Sequence, residues 1–147
     1  MEWHKYWLEM CKTVALKSKD PSTSVGSVIV RPDNTLCSVG FNGFPRGIKD
    51  TYERLHNRDT KYKLTLHAEV NAIYVSNDSD LSQCSLYAYP LKPCVACSLV
   101  IIQKNIKRVV VFNSTSQSSP KWVEEWTLSK QLLQEAGVEV LELDGYA

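Results

Sequence analysis

The apolar positions of this chain change rhythm several times, and each change marks an element. Over residues 2–17, Trp3, Tyr6, Trp7, Met10, Val14 and Leu16 fall mostly at i, i+3, i+4 spacing, which predicts an amphipathic helix whose aromatics serve the core or a subunit contact. Lys19-Asp20-Pro21-Ser22-Thr23 ends it through Asp-Pro turn chemistry. Residues 25–30 are β-branched and apolar, Pro32-Asp33-Asn34 makes a turn, and residues 36–41 return, so this stretch predicts a hairpin. A glycine-punctuated loop follows over residues 40–47. Residues 48–63 are polar without a clear period and predict a long loop or one short helix, and their length points to function or a subunit contact. Residues 66–75 predict a helix with His67 in its first turn, 85–89 a strand, and 93–104 a helix opened by Pro93. A buried strand over 107–112, a polar loop over 114–120, a helix over 121–136 stopped by Gly137, and a strand over 138–143 complete the chain.

The order α-β-β-α-β-α-β-α-β decides the architecture. Two terminal β-α-β units imply parallel strands with right-handed crossovers, and the hairpin adds an antiparallel pair. The expectation is a three-layer α/β/α fold with a mixed five-stranded sheet, formed as a single domain over residues 1–147 without repeats or linkers.

Composition narrows the function classes. The chain is 44% hydrophobic and 22% charged, as soluble globular proteins are. Seventeen basic and 16 acidic side chains leave a net charge of +1, which argues against a nucleic-acid partner but leaves room for a small anion held by two or three local cations. No apolar run approaches the roughly 20 residues needed to span a bilayer, so no membrane association is expected. Five cysteines, an odd count, and no signal peptide argue against a secreted disulfide framework and for a cytoplasmic setting (host cytoplasm, were the source viral). Cys11, Cys37 and Cys84 lie in apolar company and are expected to be buried free thiols.

Cys94 and Cys97 have another use. His67-Ala68-Glu69 is followed 24 residues later by Pro93-Cys94-Val95-Ala96-Cys97. This supplies three zinc ligands, His67, Cys94 and Cys97, and one carboxylate that is not a ligand. Structural zinc sites usually close with four protein groups, whereas catalytic ones keep a position for water. A structural reading needs a fourth ligand from His4, His56, Cys11, Cys37 or Cys84, none of which has motif spacing. Two thiolates neutralise the dication and acidify bound water less than three histidines would, so a neighbouring base is valuable, and Glu69 is the candidate. H-x-E…P-C-x-x-C is the signature of zinc nucleobase deaminases. On this reading Glu69 shuttles protons from water to N3 of a pyrimidine and then to the departing amine, while zinc-bound hydroxide attacks C4.

The chain resembles the cytidine deaminase superfamily and, within it, the deoxycytidylate (dCMP) deaminases. Four blocks carry the resemblance: Ser18-Lys19-Asp20-Pro21-Ser22-Thr23-Ser24-Val25-Gly26, Gly40-Phe41-Asn42-Gly43-Phe44-Pro45-Arg46-Gly47, His67-Ala68-Glu69-Val70-Asn71-Ala72-Ile73, and Pro93-Cys94-Val95-Ala96-Cys97. The first two point to dCMP rather than to cytosine, cytidine or tRNA adenosine. The resemblance implies a cytidine deaminase-like fold, one catalytic zinc, and hydrolysis of dCMP to dUMP and ammonia in support of thymidylate synthesis. It implies that Asn42 helps hold the nucleotide. It also implies a homohexamer activated by dCTP and inhibited by dTTP, with magnesium accompanying the triphosphate and the loop around Gly43 and Arg46 near the nucleotide sites. The alternatives are a deaminase of dCTP or tRNA adenosine, or a non-catalytic nucleotide-binding oligomer with structural zinc.

Two departures stand out. Many relatives read Tyr-x-Thr before Pro-Cys, whereas this chain has Tyr87-Ala88-Tyr89 and a run to Pro93 one residue longer, which bears on base and phosphate contacts. Residues 50–66 hold His56 but no cysteine, which argues against the second zinc of some viral relatives. Tyr62 and Tyr89 either stack on a base, with Tyr89 taken as a substrate-binding candidate, or serve as packing. Arg46, Lys49, Arg54, Arg58, Lys61 and Lys92 are all available for a phosphate, and the sequence does not rank them.

Overall fold

The computed structural model describes residues 1–113 and 119–144. The polar loop expected over 114–120 therefore lies, for residues 114–118, outside the described residues. The first helix, α1 (Trp3–Ala15), is slightly shorter at both ends than its pattern suggested. It starts at Glu2, whose carboxylate accepts the N–H groups of His4 and Lys5, two of the donors a helix start leaves without intrahelical partners. At the turn after it, Asp20 Oδ1 accepts the amides of Ser22 and Thr23, the local bonding that favours Asp there. The hairpin strands β1 (Gly26–Val30) and β2 (Leu36–Phe41) pair antiparallel.

The polar stretch 48–63 forms two short helices, α2 (Tyr52–His56) and α3 (Arg58–Leu64), where a loop or a single helix was expected. Each begins at a polar cap: Thr51 Oγ1 accepts the Arg54 amide and Asn57 Oδ1 accepts the Thr60 amide. Short helices with no buried apolar stripe leave little periodicity to detect. The remaining elements are α4 (Ala68–Val75), β3 (Ser85–Tyr89), α5 (Val95–Gln103), β4 (Arg108–Phe112), α6 (Pro120–Glu135) and β5 (Glu139–Leu143). Pro120, rather than Pro93, occupies the start of a helix, and Gly137 ends α6 with φ +85°.

The sheet runs β2-β1-β3-β4-β5. β1 is antiparallel to both neighbours, while β3, β4 and β5 are parallel. On one face Ile29, Leu86, Ala88, Val109 and Val111 pack with Ala72 and Ile73 of α4, Ile101 of α5, and Trp126 and Leu133 of α6. On the other, Val28, Val30, Tyr87 and Val110 pack with Trp7, Leu8 and Cys11 of α1. Because both faces are covered, the successive residues Val28, Ile29 and Val30 of β1 and Val109, Val110 and Val111 of β4 are all apolar and buried, which is why these strands read as hydrophobic runs. Cys11 and Cys84 are buried as expected; Cys37 is only half-buried, at a β2 position near the helix edge where its Sγ lies 3.2 Å from Ser76 Oγ.

Two glycines set the depth at which helices cross this sheet. A methyl carbon on Gly26 would enter the Cys11 carbonyl of α1 and stand 2.9 Å from the Ala15 nitrogen. One on Gly40 would strike the Ala72 nitrogen of α4 and stand 2.5 Å from the Ala68 carbonyl oxygen. Close backbone approach of this kind admits only glycine. Gly43 and Leu66 then exchange both backbone hydrogen bonds in an antiparallel bridge, which fixes the chain entering α4 against the end of β2.

Candidate metal centre and catalytic cavity

His67 is the residue that caps α4, not a member of its first turn. Its backbone is extended, with φ −71° and ψ 154°. Within a helix two side chains only two residues apart point to different sides, but here His67 projects from outside the helix while Glu69 projects from within it. Cys94 plays the same part at α5, with φ −72° and ψ 174°, and Pro93 precedes it instead of opening the helix. Cys97 follows in the first turn and is buried.

His67 Nδ1 lies 3.1 Å from Cys97 Sγ and 3.5 Å from Cys94 Sγ. The three ligand atoms all lie within 4.8 Å of one another. Zinc bonds of about 2.0 Å to nitrogen and about 2.3 Å to sulfur, set at the tetrahedral angle, give an N···S edge of about 3.5 Å, so the trio fits that ion. Among the described residues no fourth His, Cys, Asp or Glu joins the group. His4 instead meets the Tyr87 hydroxyl at 2.7 Å, and His56 bonds the Tyr52 carbonyl at 2.8 Å.

The trio is electrostatically prepared. A hydrogen bond from the Cys97 thiol, with help from His67 and the Cys97 amide, holds Cys94 well below the usual thiol range. The same bond, in which Cys97 keeps the proton, and its burial push Cys97 up. His67 is raised by its bond to Cys94. Cys94 is thus the sulfur that more readily gives up its proton, and a divalent ion held here would displace the proton that Cys97 keeps. The Val95 amide donates to Glu125 Oε2 of α6 at 2.7 Å, fixing the tip of α5 that carries both sulfurs.

Glu69 is 4% exposed, and burial raises its pKa to about 7, against the opposing pull of its own amide and His67. A carboxyl group in that range both holds and releases a proton near neutral pH, as a general acid–base requires.

These groups border a cavity of about 520 Å³. His67, Glu69 and Cys94 line it together with Thr23, Val25 and Asn42, with Arg58, Lys61 and Tyr62 of α3, and with Leu91, Lys92 and Trp122. Asn42 is buried, its Oδ1 accepting the Val25 amide and its Nδ2 donating to the Thr23 carbonyl, both at 2.9 Å. An amide of this kind still has one N–H and one lone pair to offer a ligand.

Not every candidate reaches this cavity. Tyr89, expected to bind substrate, does not line it. Strand alternation puts Tyr89 with Tyr87 on the α1 face, its ring 5.7 Å from that of Phe112 and beneath the Lys12 ammonium. Gly43 is engaged in its bridge to Leu66, and Arg46 is exposed and outside the cavity lining. Of the six unranked cations, Arg58, Lys61 and Lys92 line it, and so do residues not singled out in the sequence, such as Trp122. Lys61 is 4% exposed and bonds Asp20 Oδ1 and Ser22 Oγ at 3.0 Å each. Trp122 arrives from α6 and Leu91 from the altered run before Pro93. The spacing of Arg58, Lys61, Tyr62 and Thr65 is that of one helical face, a signal visible only once residues 58–64 are known to be helical.

Comparison with known proteins agrees with this geometry. Residues 1–113 match the family model described as the cytidine and deoxycytidylate deaminase zinc-binding region. The chain is 38% identical over 143 residues to the deoxycytidylate deaminase of Mus musculus, covering 94% of this chain and 78% of that protein. It is 40% identical over 139 residues to an uncharacterized deaminase in the luxG 3' region of Aliivibrio fischeri, covering 95% of this chain and 92% of that one. The fold superposes on the dCMP deaminase of cyanophage S-TIM5, solved with dCMP and dUMP, with a TM-score of 0.72 at 24% identity and 95% coverage of each chain. With the family match spanning residues 1–113, and the metal trio and buried carboxyl both inside it, the chain belongs to the cytidine and deoxycytidylate deaminases.

Proposed function

We propose that this deaminase hydrolyses dCMP to dUMP and ammonia, supplying dUMP for thymidylate synthesis. The observation that carries the reading is a buried Glu69 beside a three-ligand metal centre on one cavity large enough for a nucleotide. The relatives named deoxycytidylate deaminase support the choice of base and phosphate.

His67, Cys94 and Cys97 would hold a zinc ion, whose Lewis acidity makes water nucleophilic near neutral pH. Glu69 takes a proton from the attacking water and delivers it to N3 of the pyrimidine. It then carries a proton to the exocyclic amine, which leaves C4 as ammonia. Its burial is what lets it serve in both directions, because a carboxyl poised near neutrality neither keeps nor refuses the proton. Asn42, anchored to the Thr23 and Val25 backbone, presents its remaining polar valences to the nucleotide as a fixed group.

Regulation by dCTP as activator and dTTP as inhibitor, with magnesium on the triphosphate, belongs to the same reading, as do a homohexamer and a cytoplasmic setting. The exposure of Arg46 supports an effector contact on the glycine-rich loop outside the substrate cavity. Among the described residues no helix is long and apolar enough to cross a membrane. The test is a substrate panel with ammonia readout: dCMP, dCTP, deoxycytidine and a tRNA adenosine stem-loop, with zinc-replete protein, each with and without dCTP or dTTP as effector. Turnover confined to dCMP is expected. Turnover of the tRNA stem-loop with none of dCMP would overturn the assignment, and a dCMP rate curve unmoved by either triphosphate would remove the regulatory part.

A further inference from the structure

Three cations line the cavity: Arg58, Lys61 and Lys92. Two are already committed to carboxylates. Lys61 is buried against Asp20 at 3.0 Å, and Lys92 faces Glu142 at 3.8 Å with its ammonium 5.4 Å from the Trp126 ring centroid. Arg58 is different. It is exposed, it forms no ion pair among the described residues, and its guanidinium is steadied 5.2 Å from the Tyr62 ring centroid. Arg46, Lys49 and Arg54, the other cations that the sequence offered, do not line the cavity.

Position along α3 matters as much as charge. The chain passes from α3 through Thr65 and Leu66 to His67, so the C-terminal end of α3 is tied within three residues of the metal-ligating group while Arg58 sits at the far end of the helix. At a rise of about 1.5 Å per residue, Arg58 stands about 9 Å along the helix axis from Leu64. A pyrimidine with C4 at the metal holds its 5′-phosphate at the opposite end of the molecule, beyond the sugar. Arg58 therefore lies toward the phosphate end of the cavity, with Lys61 one turn closer to the metal. A guanidinium is also the side chain best matched to two phosphate oxygens at once.

We propose that Arg58 is the phosphate anchor of the substrate cavity, the residue that makes the site prefer a nucleoside monophosphate over a nucleoside. The Tyr62 ring holds the guanidinium in place and Lys61 adds to the local field. The assignment deepens, and rests on, the reading of the cavity as a dCMP site.

The test is calorimetric titration of dUMP and of deoxyuridine into the zinc-loaded protein, the Arg58→Gln and Arg58→Lys variants, and Arg54→Gln as a charge-matched control outside the cavity. The readout is the ratio of nucleotide to nucleoside affinity. Losing the guanidinium should lower that ratio by about ten- to a hundredfold, with Arg58→Lys between and Arg54→Gln like the parent. A parent that prefers dUMP, together with an Arg58→Gln variant that keeps that preference, overturns the anchor and leaves the dCMP reading standing. Equal losses in Arg54→Gln and Arg58→Gln also overturn it, since the effect would then be general charge. A parent that does not distinguish nucleotide from nucleoside overturns the anchor and the dCMP reading together.

Discussion

Replacing Gly40 by alanine should damage the metal site without touching any of its residues. The added methyl would stand 2.5 Å from the Ala68 carbonyl oxygen, about 0.9 Å short of the 3.4 Å at which ordinary contact begins, and it would also strike the Ala72 nitrogen. Both obstacles are backbone, so no side chain can swing away; α4 as a whole must lift off β2. Overpacking of this kind costs about 1–3 kcal/mol, or about 2–12 °C of melting temperature for a chain of this size. The helix start that moves is the one bearing His67 and Glu69, and a displacement near 1 Å of catalytic groups costs about a hundredfold in rate. Gly26→Ala is the matched comparison. It forces α1 off the other face, so it should lower stability similarly while the protein that stays folded keeps its metal affinity and turnover. Calorimetric melting, zinc content per chain and kcat on dCMP, measured on both variants, decide the matter. A Gly40→Ala protein with unchanged kcat and zinc content, or a Gly26→Ala protein with the larger catalytic loss at equal stability, would refute the idea that α4 is seated by glycine contact.

Glu69→Gln should lower kcat on dCMP by about a hundred- to ten-thousandfold while zinc content stays near one per chain, because the amide cannot carry the proton but is not a ligand; steady-state rates and metal analysis check it. Lys61→Met should cost about 3–5 kcal/mol in urea unfolding, since it strands the Asp20 carboxylate, 12% exposed, without its ammonium; Asp20→Asn added to it should recover part of the loss. Glu142 is held below the carboxylate value of 4.5: partial burial opposes ionisation, but bonds from Lys130 and the Trp126 indole, both 2.7 Å, and the Lys92 charge outweigh it. Its stabilising contribution is therefore present above pH 4.5 and lost as pH falls through its lower folded pKa, so acidification into that window should destabilise the parent more than Glu142→Gln, as read by chemical unfolding at successive pH values.

How much of this was legible follows from the range of each interaction. The strands were readable because burial on both faces makes residues such as Val109, Val110 and Val111 uniformly apolar. The metal trio was readable because Cys94 stands three residues before Cys97 and His67 two residues before Glu69, spacings that are visible in the chain itself. The location of His67 and Cys94 at cap positions, outside their helices, was off by one or two residues, since a helix start depends on backbone bonds that residue types only bias.

The rest required long-range contacts. Tyr89 was misplaced because alternation says that neighbours face opposite ways but not which way is the cavity; the packing of α1 beside β3 settles that. Arg58 could not be ranked above five other cations, because what distinguishes it is a place on the cavity wall combined with the lack of a carboxylate partner among the described residues, and Asp20 and Glu142 come from 41 and 50 residues away from the lysines they engage. The insertion of β1 between β2 and β3, and the glycine seats of two helices, are likewise choices among pairings of distant segments. By itself the sequence determined the chemistry of the ligands, the kind of each element outside residues 48–63, and the family. Only the tertiary structure decided which side chains share a cavity, because that depends on close packing between segments whose separation along the chain carries no information about their separation in space.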